Sequence, residues 1–330
     1  MRNTINYNDE YFAMKIGFIG LGNVGAKLAG SLLRNGYDLT VLDLDKNVAQ
    51  PFLDKGAAWA DTPKALAQSV DLVFTCLPSP SICAQVMQGP EGVIEGLNTG
   101  KIWLEMSTTD ESEIKRLAKL VESRGAFALE TPVSGGCHRA DTGNIAIFAG
   151  GERAVFDQVL PLLTTLGRRV LHTGALGSAS VLKVLTNYLA TANLCSLAEA
   201  LTVAKKAGMD LNTTYEAIRI SSGNSFVHET ESQVILNGSR DISFTMDLVI
   251  KDVGLFDSLA KDLAVPLELS PLILDIFKDG QARYGAREWS PNIIRRLEDA
   301  CDVQVLADGF PAQMVDDEPE ERGYEVIPKG

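Results

Sequence analysis

The chain has 330 residues, 45% of them hydrophobic and 22% charged, which is the composition of a globular protein with roughly two domains. Its 43 acidic residues against 30 Lys and Arg give a formal net charge of −13, which argues against binding to nucleic acid or to an anionic membrane surface. The five cysteines lack the spacing of metal ligands, and the N-terminal extension, residues 1–13, contains no apolar segment of a secretory signal. We therefore expect a cytoplasmic protein without a metal site and without a membrane span.

From residue 14 onward, short apolar runs alternate with segments of helical periodicity. The runs that indicate strands are KIGFIG, LTVLDL, DLVFTCL, KIWLEM, GAFALE, NIAIFAG and RRVLHT. Strands that alternate with helices are typical of a parallel sheet wrapped by helices. The pattern therefore predicts an α/β domain with a doubly wound sheet over residues 14–176.

The strand pattern ends after Gly174, and residues 177–304 are predicted to form an all-α domain. Its first segment, SASVLKVLTNYLATANLCSLAEALTVAKKAG, has the length of a single helix. Because this segment is apolar nearly all round, we expect it to be buried between domains or between subunits. Residues 305–330 form an acidic tail rich in Pro and Gly, which is typical of an extended arm or a disordered segment.

The first strand is followed by a glycine motif that consists of Gly20, Leu21, Gly22, Asn23, Val24 and Gly25. A GxGxxG motif that ends a strand and opens a helix is typical of a dinucleotide-binding loop. Gly20 allows the tight turn, Gly22 lets the backbone approach a pyrophosphate, and Gly25 lets the helix pack closely on the strand. The helix N-terminus then supplies backbone N–H groups and a positive dipole. The motif predicts a Rossmann-type cofactor domain; the alternative is a glycine-rich turn without a ligand.

The next strand ends at Asp43, eighteen residues after Gly25. A carboxylate at this position accepts hydrogen bonds from the adenine ribose hydroxyls and repels a 2′-phosphate. Asp43 therefore favours NAD over NADP as the cofactor. It could instead only cap the end of the strand, and Asp45 is a second candidate for the same role.

Three further motifs follow in order, namely TPVSGG (131–136), GALGSASVLKVLTN (174–187) and FTMDLVIKD (244–252). Together with GFIGLGNVG, they resemble the motifs of the β-hydroxyacid dehydrogenase family, which includes 3-hydroxyisobutyrate dehydrogenase, tartronate semialdehyde reductase and 6-phosphogluconate dehydrogenase. The resemblance extends over residues 15–300. The chain departs from the family where Val24 stands in place of the usual Met and where KLA stands in place of Pro-Met-Ala.

Lys183 and Asn187 are four residues apart, so on a helix they share one face. A helix this apolar has little structural use for an inward lysine beside an inward asparagine. The resemblance implies that Lys183 is the general acid/base at the substrate hydroxyl or carbonyl, and that Asn187 is its orienting hydrogen-bond partner. The alternative is a surface lysine with a chance asparagine nearby.

Ser134, Gly135 and Gly136 are implied by the resemblance to hold the substrate carboxylate. A hydroxyl and consecutive backbone N–H groups form a small anion site, and glycine keeps side chains out of the way. A plain tight turn is the alternative. Thr108, after the strand KIWLEM, is implied to contact the nicotinamide side of the cofactor and the substrate, although N-capping of the following helix explains its position equally well.

Four further residues are implied to lie on the cofactor side of the site, namely Leu77, Pro78, Phe244 and Lys251. Leu77 and Pro78 match a family loop beside the adenosine, and an ordinary strand end is the alternative. Lys251 matches a position close to the cofactor, with Phe244 packing nearby. A charged helix face would explain Lys251 and the following aspartate almost as well.

His138 and Arg139 depart from the family, in which small or apolar residues are usual just after the two glycines. Arg139 could bind a second anionic group of the substrate, such as a carboxylate or a sulfonate. The alternative is a solvated loop cation or an interdomain salt bridge. His138 is not expected to be the catalytic base, because Lys183 already fills that role.

The residues and the resemblance together predict an NAD-dependent dehydrogenase of a short β-hydroxy acid, or a reductase of the matching semialdehyde. The active site is expected in the cleft between the two domains, with a small anionic molecule as substrate. The apolar helical domain favours a homodimer or a homotetramer. Oxidative decarboxylation, as in 6-phosphogluconate dehydrogenase, would need a phosphate-binding cluster that we do not find in the sequence. A non-catalytic NAD-binding regulator would have no need for both Lys183 and Asn187.

Overall fold

The computed structural model of the chain describes residues 14–329, which form two compact units. Unit 1 contains the residues up to Lys183 together with the segment from Glu318, and unit 2 contains Val184–Asp317. The predicted N-terminal extension, residues 1–13, lies outside the described residues. The division differs from the predicted boundaries in two places, because the first turns of the long helix and the last part of the acidic tail both belong to unit 1.

Unit 1 is an α/β structure built on one sheet. Its strands are β1 (Ile16–Ile19), β2 (Leu39–Leu42), β3 (Ala58–Trp59), β4 (Leu72–Thr75), β5 (Ile102–Glu105), β6 (Phe127–Glu130), β7 (Val133–Ser134), β8 (Ile145–Gly150), β9 (Gly167–Gly174) and β10 (Tyr324–Glu325). They lie in the order β10-β9-β8-β6-β5-β4-β1-β2-β3, and β7 pairs with β8 off this path. The pairing is parallel except that β8 runs antiparallel to β6 and β7. The predicted doubly wound sheet is therefore confirmed, with a mixed half beyond β6.

Helices connect these strands. Those of unit 1 are α1 (Asn23–Arg34), α2 (Lys46–Leu53), α3 (Pro63–Ser69), α4 (Pro80–Gln88), α5 (Val93–Gly96), α6 (Glu111–Glu122), α7 (Cys137–Asp141) and α8 (Arg153–Leu166). The long helix α9 (Ser178–Lys206) begins in unit 1 and continues into unit 2. A single helix over this segment was the expectation from the sequence, and the structure confirms it.

The central strands of unit 1 are apolar on both faces, because helices cover the sheet on both sides. In β1, Ile16 and Phe18 belong to one buried cluster, whereas Ile19 belongs to the other. In β5, Leu104 and Trp103 divide between the two clusters in the same way. This alternation follows from the two-residue period of a strand. Because β1, β4, β5 and β6 pair in parallel, their carboxyl ends lie along one edge of the sheet.

Unit 2 consists of the continuation of α9 and a set of shorter helices. These are α10 (Leu211–Arg219), α11 (Phe226–Asn237), α12 (Met246–Asp262), α13 (Leu269–Tyr284), a 3-10 helix (Ser290–Ile294) and α14 (Arg295–Cys301). Its buried core includes Leu201, Val249 and Phe277. Within residues 14–329, no helix is long and apolar enough to cross a membrane.

Residues 318–329, here called the strap, return to unit 1 and lie along its sheet edge. Strand β10 pairs in parallel with β9, and the strap's glutamates form ion pairs with arginines of unit 1. These pairs are Glu318 with Arg139 and Arg169, Glu320 with Arg34, Glu321 with Arg168, and Glu325 with Arg153. Of the two forms expected for the acidic tail, the structure shows the extended arm over these residues, because the tail's carboxylates meet a basic sheet edge.

Candidate active site

The glycine loop joins β1 to α1, and its shape requires two of its glycines. Gly20 has a φ of +99°, and a Cβ there would lie 2.3 Å from the carbonyl oxygen of Cys76. A Cβ on Gly25 would lie 2.0 Å from the carbonyl oxygen of Gly20. Both contacts are far shorter than real Cβ contacts, so any side chain would force the loop and the helix apart.

Gly22 differs from its two neighbours in the motif. It is exposed, and no described atom lies within 4 Å of the position that its Cβ would take. It is also the N-cap of α1, and no side chain among the described residues caps that first turn. The loop therefore offers backbone N–H groups and open space at a helix N-terminus, which fits the pyrophosphate of a dinucleotide.

Asp43 follows β2 and contacts the glycine loop directly. Its Oδ2 accepts a hydrogen bond of 2.6 Å from the backbone N–H of Leu21, and its Oδ1 accepts one of 3.1 Å from Asp45. Asp45 itself is the N-cap of α2 and accepts from the N–H of Asn47. Of the two carboxylates, Asp43 is thus the one that touches the glycine loop.

A buried network holds the ends of β4 and β5 together. Glu105 is fully buried, and its carboxylate accepts hydrogen bonds from Thr75 Oγ1, Cys83 Sγ and the N–H of Ser107, at 2.7, 2.7 and 2.6 Å. The hydroxyl oxygen of Ser107 in turn accepts from the N–H of Leu77 at 2.7 Å. Burial raises the pKa of Glu105, and these hydrogen bonds oppose the rise.

The network fixes two of the predicted cofactor-side segments relative to each other. Leu77 is bonded within it, and Thr108 directly follows the residue that bonds Leu77. The N-cap of α6 is Asp110, whose side chain accepts from the N–H of Glu113 at 2.8 Å. N-capping therefore does not explain Thr108, and its predicted contact with ligands stays a prediction.

The TPVSGG segment lies at the end of β6, next to Glu105. The N–H of Thr131 donates to the carbonyl oxygen of Glu105 at 2.6 Å, and Ser134 lies in β7. Gly135 and Gly136 have φ values of +131° and +88°, where glycine is strongly favoured. The predicted substrate residues thus stand in a turn at the carboxyl edge of the sheet whose backbone requires glycine.

Arg139 lies in α7, directly after this turn. Its Cδ is 3.3 Å from the position that a Cβ on Gly135 would take, so its aliphatic stem covers the turn. Its guanidinium lies 3.2 Å from a carboxylate oxygen of Glu318 in the strap. The ion pair is formed within unit 1 and is not an interdomain bridge. The predicted role of Arg139 in binding a second substrate anion is not tested by this contact.

Lys183 lies in the second turn of α9 and is only 7% exposed. The first turn of this helix is bonded to Glu130, the last residue of β6. The Glu130 carboxylate accepts from the N–H groups of Gly177, Ala179 and Ser180, at 2.6, 2.8 and 2.9 Å, and from the Ser180 hydroxyl. A buried lysine thus follows a helix start that is fixed to the sheet.

Asn187 is one turn beyond Lys183 and forms a side-chain cluster in unit 2. Its Nδ2 donates to Oδ2 of Asp252 at 2.5 Å, and Oδ1 of Asp252 lies 2.7 Å from Lys251 Nζ. Asp252 is only 2% exposed, so it serves as a buried bridge between the asparagine and the lysine. Phe244 packs against the core of unit 2, two residues before the start of α12.

Comparison with known proteins places the chain in a family. Residues 15–174 match the NAD-binding domain of 6-phosphogluconate dehydrogenase, and residues 177–297 match the family described as NAD-binding of NADP-dependent 3-hydroxyisobutyrate dehydrogenase. The chain is 34% identical to 2-(hydroxymethyl)glutarate dehydrogenase of Eubacterium barkeri, over 89% of this chain and 98% of that protein. It is 31% identical to mitochondrial 3-hydroxyisobutyrate dehydrogenase of Mus musculus, over 80% of this chain and 81% of that protein.

The chain belongs to the β-hydroxyacid dehydrogenase family. The solved structure of 3-hydroxyisobutyrate dehydrogenase from Salmonella typhimurium aligns with this dehydrogenase with a TM-score of 0.79 and 27% identity, covering 86% of this chain and 99% of that chain. Membership makes it an NAD(P)-dependent oxidoreductase that acts on CH–OH groups, which confirms the family and the enzyme class expected from the motifs.

Three polar residues with defined contacts in this dehydrogenase were not predicted as site residues from the sequence. They are Glu105, Glu130 and Asp252, and each is a buried carboxylate bonded to a predicted site residue or to a segment that carries one. A signal was available, because each lies in or near a predicted motif or site residue: Glu105 is three residues before Thr108, Glu130 directly precedes TPVSGG, and Asp252 ends FTMDLVIKD. An acidic residue inside an otherwise apolar strand is seldom left without a hydrogen-bond partner.

Proposed function

We propose that this dehydrogenase oxidises a short β-hydroxy acid, or reduces the matching semialdehyde, with Lys183 as the general acid/base. The observation that carries the proposal is the buried Lys183 in the second turn of α9, on a helix whose start is bonded to the residue preceding TPVSGG. A lysine shielded from water is suited to exchange a proton with a reacting hydroxyl.

In the oxidation direction, Lys183 Nζ takes the proton of the substrate hydroxyl; in reduction it returns that proton to the developing alkoxide. The bound nicotinamide cofactor supplies the hydride acceptor or donor. Ser134, Gly135 and Gly136 hold the substrate carboxylate, with the serine hydroxyl and backbone N–H groups as donors. Asn187, fixed by Asp252, orients the reacting oxygen, and Thr108 contacts the substrate and the nicotinamide side of the cofactor.

The glycine loop would hold the cofactor's pyrophosphate, and Leu77, Pro78, Phe244 and Lys251 would line its remaining parts. We propose NAD rather than NADP, although the second matching family is described as NADP-dependent. The support is Asp43, whose carboxylate lies against the loop at Leu21. A fixed negative charge there disfavours the 2′-phosphate of NADP.

The names of the two curated relatives suggest a common substrate core. 3-Hydroxyisobutyrate and 2-(hydroxymethyl)glutarate are both 3-hydroxypropanoates with a substituent at C2, a methyl group in the first and a carboxyethyl group in the second. We propose that this chain acts on the same core. Binding of a substrate with a second carboxylate would depend on Arg139, whose guanidinium is paired with Glu318 of the strap.

The exposed apolar residues of the helical segment support a homodimer or homotetramer. Leu189 and Val203 of α9 and Leu272 of α13 are each more than half exposed in the single chain. Apolar side chains of this size on neighbouring helices are typical of a subunit interface. Light scattering coupled to gel filtration would show the assembly, and a monomer at micromolar concentration would contradict this part of the proposal.

One assay tests the reaction. The purified protein is given 3-hydroxyisobutyrate, 2-(hydroxymethyl)glutarate and 3-hydroxypropanoate, each with NAD⁺ and NADP⁺, and NAD(P)H formation and CO₂ release are followed in parallel. We expect reduced cofactor without CO₂, faster with NAD⁺. Release of CO₂ would favour an oxidative decarboxylase, and cofactor binding without turnover of any of the three hydroxy acids would favour a non-catalytic regulator.

A further inference from the structure

The end of β6 carries a buried carboxylate that the proposed mechanism does not use. Glu130 has no exposed surface, and it accepts four hydrogen bonds from Gly177, Ala179 and Ser180. The donors lie 47 to 50 residues away in the chain and belong to the turn before α9 and to its first turn. These are the N–H groups that a helix leaves without a partner at its N-terminus. Glu130 therefore acts as a helix cap supplied from a distant strand.

The residues that flank Glu130 on the neighbouring strands leave space for its carboxylate. Gly150 in β8 is the register partner of Glu130, and a Cβ on Gly150 would lie 2.3 Å from Glu130 Oε1. On its other side, Glu130 is the register partner of Glu105 in β5. The side chain thus projects from the sheet between Gly150 and Glu105 of the two flanking strands, and its carboxylate is fully buried against the start of α9.

Glu130 also directly precedes the segment Thr131–Gly136. The backbone of Glu130 therefore continues into the segment predicted to hold the substrate carboxylate. Its side chain is bonded to the helix that carries Lys183. From this juxtaposition we propose that Glu130 is a positioning residue that sets Lys183 relative to Ser134. The inference rests on the proposed function of Lys183 and deepens it. A misplacement of about 1 Å of a catalytic group can cost about 100-fold in rate, so such an anchor has a measurable effect.

The test uses Glu130→Gln in the full chain. An amide keeps the size of the side chain but replaces one acceptor oxygen with a donor that faces backbone N–H groups. We expect kcat to fall by about 10- to 100-fold, with the Kd for NAD⁺ within about twofold of the wild-type value, because the hydrogen bonds described for the Glu130 carboxylate go to residues 177–180. Gly150→Ala, which pushes against the same carboxylate, should give the same split between kcat and Kd.

The matched control is Asp210→Asn, the same chemical change at another helix N-cap. Asp210 caps α10 by accepting from the N–H of Thr213 at 2.7 Å, and α10 carries none of the proposed site residues. Its kcat should stay within about twofold of wild type, because asparagine still caps a helix and α10 does not carry Lys183.

A second readout is independent of turnover. Amide hydrogen exchange, followed by mass spectrometry, should speed up in the peptide covering residues 177–186 of Glu130→Gln and stay unchanged around the glycine loop. If that variant does not fold, Ser180→Ala decides, because it removes one donor and leaves the backbone donors in place; we expect a smaller fall in kcat with faster exchange in the same peptide.

The outcomes separate the two proposals. Unchanged exchange in residues 177–186, or an unchanged kcat, in a folded Glu130 or Ser180 variant would overturn the positioning role. Equal losses in kcat and in NAD⁺ affinity would also overturn it, since they would indicate general damage to unit 1. A wild-type protein that turns over no β-hydroxy acid would instead contradict the proposed function, while the exchange measurement would still decide whether Glu130 anchors α9.

Discussion

The proposed site residues fall into two groups, here called the backbone half and the side-chain half, that act through different parts of the chain. The glycine loop and the TPVSGG turn use backbone atoms, and their glycines are there because a side chain would collide or because φ is positive. The other group uses side chains: Lys183, which is buried, and Asn187, which is bonded to Asp252. A site made of backbone atoms should therefore lose ligand affinity or stability when a methyl group is added. A side-chain site should fail when a functional group is replaced by one of the same shape.

The largest expected effect is on the side-chain half. Lys183→Met removes the proposed acid/base and keeps the length and the buried apolar stem of the side chain. We expect kcat to fall by about 10²- to 10⁴-fold, with little change in melting temperature. Lys205→Met, in the last turn of the same helix, is the control and should retain wild-type turnover. A Lys183→Met enzyme with a normal kcat would remove Lys183 from the mechanism.

The backbone half can be tested with two alanines in one motif. Gly22→Ala places a methyl group in open space, so the fold should be unaffected, whereas the approach of a pyrophosphate should be blocked. We expect its NAD⁺ affinity to fall by about tenfold or more, which is about 1.4 kcal/mol. Gly25→Ala meets the carbonyl oxygen of Gly20, and we expect it to destabilise the protein by about 1–3 kcal/mol.

Thermal denaturation and cofactor titration distinguish these two glycines. A loss of stability in Gly22→Ala but not in Gly25→Ala would contradict the open space at Gly22 and the close contact at Gly25. If neither variant binds NAD⁺ less tightly than wild type, the loop is not a cofactor site.

The side chain of Asp43 contacts the backbone half by accepting a hydrogen bond from the N–H of Leu21. Asp43→Asn keeps an oxygen that can accept from the N–H of Leu21 but removes the negative charge. We expect the ratio of kcat/KM for NAD⁺ to that for NADP⁺ to fall by about tenfold, mainly through a gain with NADP⁺. Asp45→Asn is the control, because Asp45 caps α2. An unchanged ratio in Asp43→Asn would show that the charge does not select the cofactor.

The last expected effect is on stability and not on turnover, and it concerns a partly exposed glutamate with one buried carboxylate oxygen. Burial raises the pKa of Glu231 in α11 to about 8, and its Oε2 has no hydrogen-bond partner among the described residues. In the unfolded chain this carboxyl ionises near its ordinary pKa of about 4.3, so between that value and pH 8 the folded state binds more protons. This group's contribution to stability is therefore fully present below about pH 4 and is lost as the pH rises to 8.

Glu231→Gln should remove that dependence. We expect the variant to gain about 1–3 kcal/mol over wild type between pH 5 and pH 8, measured as the difference in unfolding free energy in urea at each pH. Taking the difference cancels the other titrating groups. Parallel stability curves for the two proteins would mean that Glu231 is charged in the folded state and has a partner.

The signals that predict the backbone half are local in the sequence. Gly20, Gly22 and Gly25 stand within six residues at a strand-to-helix transition. Lys183 and Asn187 are predicted from helical spacing and from their motif, and their catalytic role stays a prediction. The family and the α/β-then-α order followed from these features, and the comparisons and the structure confirm both.

The features that the sequence could not predict depend on contacts between residues far apart in the chain. Glu130 meets Ala179 49 residues later, and Asn187 meets Asp252 65 residues later. No periodicity encodes such contacts. The strands β3, β7 and β10 have two residues each, too few to show alternation, and the strap's position is set by ion pairs such as that of Arg153 with Glu325, 172 residues apart.

The strap also has a consequence for the order in which the protein is made. Strand β10 covers the outer edge of β9, but the ribosome synthesises all of unit 2 between these two strands. Unit 2 is therefore an insertion in unit 1, and the nascent sheet must wait, with an open edge at β9, until the strap emerges. A single proteolytic cut between α14 and the strap would turn this covalent edge strand into a separate peptide held by pairing and ion pairs alone.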